Sequence, residues 1–180
     1  QSIEVKQQLL ADETLIKAIE TAAMEFVKCF KADGKVLFCG NGGSAADAQH
    51  ISAELSGRFY KDRDPLFSEA LHVNTSYLTA VANDYSYEEI YSRLVKAKCR
   101  KGDVLVGIST SGNSGNIVKA FEQAKKQGSY IIAMTGESGG KMKEMADLVL
   151  NVPSSDTPRI QESHILVGHL ICELTENHMF

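Results

Sequence analysis

At 180 residues, with 43% hydrophobic and 23% charged residues, the chain has the composition of a globular protein able to bury a substantial core. A formal net charge of −4 argues against non-specific nucleic-acid binding, which wants a basic face. No signal peptide and no bilayer-spanning apolar run is read, and Cys29, Cys39, Cys99 and Cys172 form no C-x-x-C pair, so reduced, buried thiols in a cytosolic protein are expected.

In chain order, Ile3 to Ala11 and Leu15 to Phe30 carry apolar residues at spacings of three and four, separated by Asp12-Glu13-Thr14, and read as two helices. Asp33-Gly34 is a turn signal, and Val36-Leu37-Phe38-Cys39 reads as a buried strand. Similar runs follow at Asp103 to Ile108, Tyr130 to Thr135 and Leu148 to Val152, with a weaker one at Glu69 to Val73. Helical patterns lie between them, at Ala45 to Leu55, Tyr77 to Ala82, Glu88 to Ala97, Gly115 to Gln127 and Lys141 to Ala146. A last helix starts near Pro158 and runs almost to the C-terminus. This alternation predicts one α/β domain over residues 1–180, a three-layer α/β/α sandwich around a five-stranded, doubly wound parallel sheet. The helices of residues 1–33 exceed what such a core (34–180) needs, so they are expected to pack on another subunit.

Two turns share one chemistry. Gly40-Asn41-Gly42-Gly43-Ser44 and Gly107-Ile108-Ser109-Thr110-Ser111-Gly112-Asn113-Ser114 each follow a strand and open a helix, a place where free backbone N–H groups face an anion. One hydroxyl would serve as a helix cap, but Ser109, Thr110, Ser111 and Ser114 are more than a cap requires and read as a phosphate cup. Neither turn matches the dinucleotide or P-loop fingerprint.

On the helix after the first turn, Asp47, His50, Glu54 and Arg58 fall at spacings of three, four and four. His50 and Glu54 lie about 40° apart on one face, able to share a metal or a proton, or to form an ordinary polar pair. The last helix carries Arg159, Gln161, Glu162, His164 and His169. Gln161 and His169 are about 12 Å apart along its axis, so one copy of the helix does not place both at one metal, whereas a site built across a subunit boundary can. His164 reads as a polar surface or interface residue, and Asn83-Asp84 as a helix end.

These segments together resemble the sugar isomerase (SIS) domain and, within it, the phosphoheptose isomerases. The likeness spans essentially the whole chain, through "CGNGGSAADAQHISAELSGR", "AVANDYSYEEIYSR", "GDVLVGISTSGNSGNIVKA", "TGESGGKMKEMAD" and "RIQESHILVGHLICELTE". It implies interconversion of sedoheptulose 7-phosphate and D-glycero-D-manno-heptose 7-phosphate through a cis-enediol, the first step toward nucleotide-activated heptose for bacterial surface glycans such as lipopolysaccharide. It further implies a cytoplasmic homotetramer with active sites between subunits, Glu54 as general base and His169 as general acid. Zinc would be held by His50, Glu54, Gln161 and His169. Substrate would be contacted by Asn41, Gly42, Gly43, Glu54, Asn83, Asp84, Ser109, Thr110, Ser111, Ser114 and Gln161, with Arg58 a further candidate. The main alternative is a non-catalytic SIS protein that binds the replication initiator DnaA. The presence of both Glu54 and His169 favours an enzyme, and neither nucleic acid nor membrane is expected as a partner.

Overall fold

The apolar runs become strands β1 (Val36–Gly40), β3 (Val104–Ser109), β4 (Tyr130–Thr135) and β5 (Leu148–Asn151), with the short edge strand β2 (Ser68–Ala70). In the computed structural model, which describes residues 1–180, they pair in parallel in the order β2-β1-β3-β4-β5. Seven helices surround the sheet: α1 (Ser2–Ala11), α2 (Glu13–Lys31), α3 (Gly43–Ser56), α4 (Thr75–Asp84), α5 (Ile90–Lys98), α6 (Gly115–Gln127) and α7 (Thr157–Met179). The architecture is the α/β/α sandwich that the alternation predicts.

Period-two side-chain alternation divides the core in two. Val36, Phe38, Val104, Val106, Ile108, Ile132 and Met134 face a layer made by α2, α3 and α7, where Phe26, Ile51 and Ile171 meet them. Leu37, Cys39, Leu105, Ile131 and Ala133 face the other layer, with Tyr91, Val95, Ile117 and Phe121 from α5 and α6. All four cysteines are free and buried, as expected.

The N-terminal helices divide in their roles. Asp12 caps α2, accepting the Leu15 N–H at 3.0 Å, and Ala22, Ala23 and Phe26 join the sheet-facing cluster. α2 is therefore part of the covering layer of its own chain. The large apolar side chains left exposed on these two helices are Ile3, Leu10, Ile16 and Met24.

Three boundaries differ from the sequence pattern. The weak strand at Glu69 to Val73 is Ser68–Ala70, because after Leu71 donates its N–H to Phe38 the chain turns into α4, capped by Asn74. The helix expected from Glu88 begins as a 3-10 turn at Tyr87–Glu89 before α5. The pattern at Lys141 to Ala146 is a short 3-10 helix, Gly140–Glu144, because Gly139 and Gly140 take φ of +71° and +52° to pass close under the serine-rich turn. A Cβ on Gly140 would lie 2.5 Å from the Ser111 carbonyl oxygen, so only glycine fits this approach.

Candidate active site

The strand order reverses between β1 and β3, and it is there, at the carboxyl ends of the strands, that a doubly wound sheet opens a crevice for a ligand. Gly40 is paired in register with Ile108, so the two glycine-rich turns leave the sheet side by side. A reciprocal amide pair joins them. Asn41 Nδ2 donates to Asn116 Oδ1 at 2.9 Å, and Asn116 Nδ2 returns a bond to Asn41 Oδ1 at 2.8 Å. The Tyr87 hydroxyl donates to the same Asn41 oxygen. The Asn41 side chain thus braces one turn against the other.

The serine-rich turn is held from below through its carbonyls. Gly136 N–H donates to Thr110 O, Met142 N–H to Gly112 O, and Lys141 N–H to the Asn113 side chain. The Ser109 and Ser114 hydroxyls lie 2.9 Å apart across the mouth of the turn, Ser109 buried and Ser111 exposed. Backbone N–H groups of Ser111, Ser114 and Gly115 have no acceptor within the chain. The N–H groups of Gly42 and Gly43 at the start of α3 are likewise unpaired. Carbonyls tied down and donors left outward is the polarity an anion site requires.

Further along α3, His50 Nε2 lies 3.1 Å from Glu54 Oε1, the i,i+4 pair anticipated from spacing. His169 of α7 completes the group, its Nε2 3.3 Å from His50 Nε2. The three ligand-type atoms all lie within 4.8 Å of one another. His50 is 49% exposed and Glu54 25%, so the cluster is open to solvent on one side. The Phe59 ring stacks on His169, with centroids 5.6 Å apart.

Gln161 is elsewhere in the chain. Its amide rests on the first turn of α3, where a Cβ on Gly43 would come 2.5 Å from its Nε2. Seven residues of α3 separate Gly43 from His50, about 10 Å along the axis. One chain therefore unites three of the four residues named as metal ligands, and places Gln161 at the glycine turn. Asn83 and Asp84 are the last residues of α4, exposed and bonded to each other at 2.9 Å. No hydrogen bond joins them to the histidine cluster. Arg58 is exposed just beyond α3.

His164 is a correction. It is 1% exposed, not a surface residue, and its Nε2 lies 3.2 Å from the Thr135 carbonyl at the end of β4. Burial pushes its imidazole down to about 4, against the smaller opposing effect of that hydrogen bond, so the ring is neutral at pH 7. On α3, burial raises the Asp47 carboxyl to about 6, with His50 working weakly in the other direction.

Sequence reasoning passed over Asn116, Phe59, Arg63 and Glu176. A signal existed for two of them. Asn116 is a polar residue on the otherwise apolar buried face of an amphipathic helix, and Glu176 follows His169 by seven residues, hence on the same face of α7.

Comparison with known proteins identifies the family. The SIS domain family matches residues 4–136. The chain is 51% identical over 179 residues to a phosphoheptose isomerase of Aneurinibacillus thermoaerophilus, covering 99% of this chain and 90% of that one. It is 53% identical over 179 residues to phosphoheptose isomerase 2 of Campylobacter jejuni, with coverage of 99% and 89%. The structure of a phosphoheptose isomerase from Neisseria gonorrhoeae superposes with a TM-score of 0.92 at 45% identity, covering 98% of this chain and 93% of that one. These relatives give the DnaA-binding alternative no support. No helix is long and apolar enough to cross a membrane. The chain belongs to the SIS-domain family and, within it, to the phosphoheptose isomerases.

Proposed function

We propose that this chain is the aldose–ketose isomerase that interconverts sedoheptulose 7-phosphate and D-glycero-D-manno-heptose 7-phosphate. The observation that carries the reading is the convergence of His50, Glu54 and His169, from helices 119 residues apart in sequence, in a chain whose adjacent turns offer unpaired amides to a phosphate.

The reaction moves one proton between neighbouring carbons. Glu54, as general base, takes the C1 proton of the open-chain ketose, giving a cis-enediol, and returns a proton to C2. As the C–H bond breaks, charge grows on the C2 oxygen, and His169 protonates it as general acid. The O1 hydroxyl then gives its proton to the deprotonated His169 as the aldehyde forms, which restores the acid and balances the atoms. Ser109, Thr110, Ser111 and Ser114 hold the phosphate, with the free N–H groups of Ser111, Ser114 and Gly115 beside them. That binding fixes the sugar from a point remote from the reacting carbons. Gly42 and Gly43, the backbone of Asn41, Gln161, and Asn83 with Asp84 face the sugar hydroxyls.

The donor set of two imidazoles and a carboxylate, with mutual spacings within 4.8 Å, suits a zinc ion. His50, Glu54 and His169 would hold it, and the fourth ligand, Gln161, would come from a neighbouring copy of α7, since the chain's own Gln161 lies against Gly43. When bound, zinc would supply Lewis-acid stabilisation of the oxyanion in place of the proton that a coordinated His169 nitrogen does not carry. The likeness to phosphoheptose isomerases implies a homotetramer with sites between subunits, and the half-open cluster and the exposed apolar residues of α1 and α2 are compatible with that assembly. The reading also carries the cytoplasmic location and the role at the start of surface-glycan heptose synthesis.

The test is a coupled assay on sedoheptulose 7-phosphate with wild type, Glu54→Gln and His169→Gln, each checked for oligomeric state. The wild type turns over, and each variant loses about 100-fold or more in kcat while still assembling. A wild type that stays inactive with zinc supplied removes the heptose assignment.

A further inference from the structure

Between α3 and β2 the chain runs as an irregular segment, and one buried ion pair organises it. Arg63 and Glu176 are 3% and 2% exposed, with Arg63 Nε 3.0 Å from Glu176 Oε1. The carboxylate also accepts three successive backbone N–H groups, from Phe59, Tyr60 and Lys61, at 3.3, 2.9 and 2.9 Å. Burial alone would raise this carboxyl; the bonds from Lys61, Arg63, Tyr60 and Phe59 outweigh it and hold the group below the usual carboxylate range. The guanidinium faces the other way onto the end of α3. Its Nη2 donates to Glu54 O at 2.9 Å and its Nη1 to Leu55 O at 2.8 Å, with longer bonds to Gly57 O and Asp64 O.

Each end of this pair leads to a residue of the site. Arg63 satisfies carbonyls in the last turn of α3, including that of Glu54 itself, which a helix end otherwise leaves unpaired. Glu176 fixes the backbone of Phe59, whose ring stacks on His169. Glu176 follows His169 by two helical turns, so the clamped segment lies along the α7 face that presents the imidazole.

We propose that Arg63 and Glu176 form a positioning unit for the isomerase site, holding the Glu54 turn of α3 and, through Phe59, the His169 ring in their working orientation. Neither residue touches the reacting atoms. A misplacement of about 1 Å is enough to cost a large factor in rate, so the unit acts on turnover more than on binding. The proposal rests on the assignment of Glu54 and His169 to the reaction.

Glu176→Gln keeps the shape of the side chain but replaces one acceptor by a donor and removes the charge opposite Arg63. Phe59→Leu leaves the ion pair intact and removes only the stacked ring. In oligomers that remain folded, both lower kcat by about tenfold or more and leave KM within about twofold. Independently of activity, 13C-labelled histidine reports on the stacking. The His169 Cε1 proton moves downfield in Phe59→Leu as the aromatic ring current is lost, and moves in Glu176→Gln as the ring is displaced. Wild-type kcat and an unmoved His169 resonance in Phe59→Leu overturn the proposal, even where Glu176→Gln is inactive through unfolding. Wild-type turnover by Glu54→Gln would instead overturn the functional reading beneath it, and the resonance would still report whether the clamp holds His169.

Discussion

His169 Nε2 lies 3.3 Å from His50 Nε2, and the two rings meet at 66° with centroids 5.0 Å apart. Two facing imidazole nitrogens can share one proton, or both can turn lone pairs toward a cation, with Glu54 Oε1 alongside at 3.1 Å from His50. The geometry predicts zinc binding that depends on both rings. Calorimetric titration of the wild type shows a site that His50→Ala and His169→Gln each weaken by about tenfold or more. Undiminished affinity in either variant would place the metal elsewhere.

The serine-rich turn predicts the opposite kinetic signature. In the proposed reaction its hydroxyls and amides would bind a phosphate that does not change, and so would contribute equally to ground and transition states. Ser111→Ala and Ser114→Ala each raise KM by about tenfold, the worth of one charge-assisted hydrogen bond, and leave kcat near wild type. Inorganic phosphate competes with substrate in the wild type and more weakly in these variants. A fall in kcat at constant KM would contradict a phosphate role.

Two glycines in the same region separate function from stability. At Gly43 an added methyl meets only the end of the Gln161 side chain, which can swing away, and alanine favours the helix. Gly43→Ala therefore keeps its melting temperature within a few degrees but displaces Gln161, and kcat/KM falls by about tenfold. At Gly112 the φ is +66° and an added methyl would lie 2.1 Å from the Gly139 carbonyl oxygen, backbone that cannot yield. Gly112→Ala destabilises the fold by about 2 kcal/mol or more. Thermal unfolding beside steady-state kinetics checks both.

His164 predicts an acid-sensitive core. Its folded pKa is depressed to about 4 from an ordinary value of 6.5. Through that window the unfolded chain binds the proton that the folded chain refuses. The contribution is complete above pH 6.5 and is lost as pH falls toward 4, a total of about 3 kcal/mol. Asp47, raised from 3.8 to about 6, works against this slope, because its carboxyl is easier to ionise in the unfolded chain. Comparing wild type with His164→Gln by denaturant titration from pH 8 to pH 4.5 isolates the histidine. The stability gap narrows on acidification, and a constant gap would refute the assignment.

Much of the architecture is legible in local pattern. Val36 to Cys39, Asp103 to Ile108 and Tyr130 to Thr135 are continuous apolar runs because both faces of a parallel strand are covered, and they mark β1, β3 and β4 within a residue or so. The i,i+4 spacing of His50 and Glu54 likewise survives folding unchanged, as helix geometry is local. Lys141 to Ala146 shows the limit. Its helical periodicity yields to the approach of Gly139 and Gly140 to Gly112, a contact between segments that pattern does not see.

The sequence by itself determined the strand–helix alternation, the two amide-rich turns and the chemistry carried on α3 and α7, since each depends on residues within a few turns of one another. Tertiary structure alone decided which of these meet. Parallel pairing of β1 with β3 sets the two turns side by side, and packing of α7 on α3 brings His169 to His50 while sending Gln161 to Gly43. The same packing buries His164, which reads in the sequence as a polar surface or interface residue, and pairs Arg63 with Glu176 across 113 residues. Long-range contacts of this kind follow from how layers close over the sheet, and no local periodicity encodes that closure.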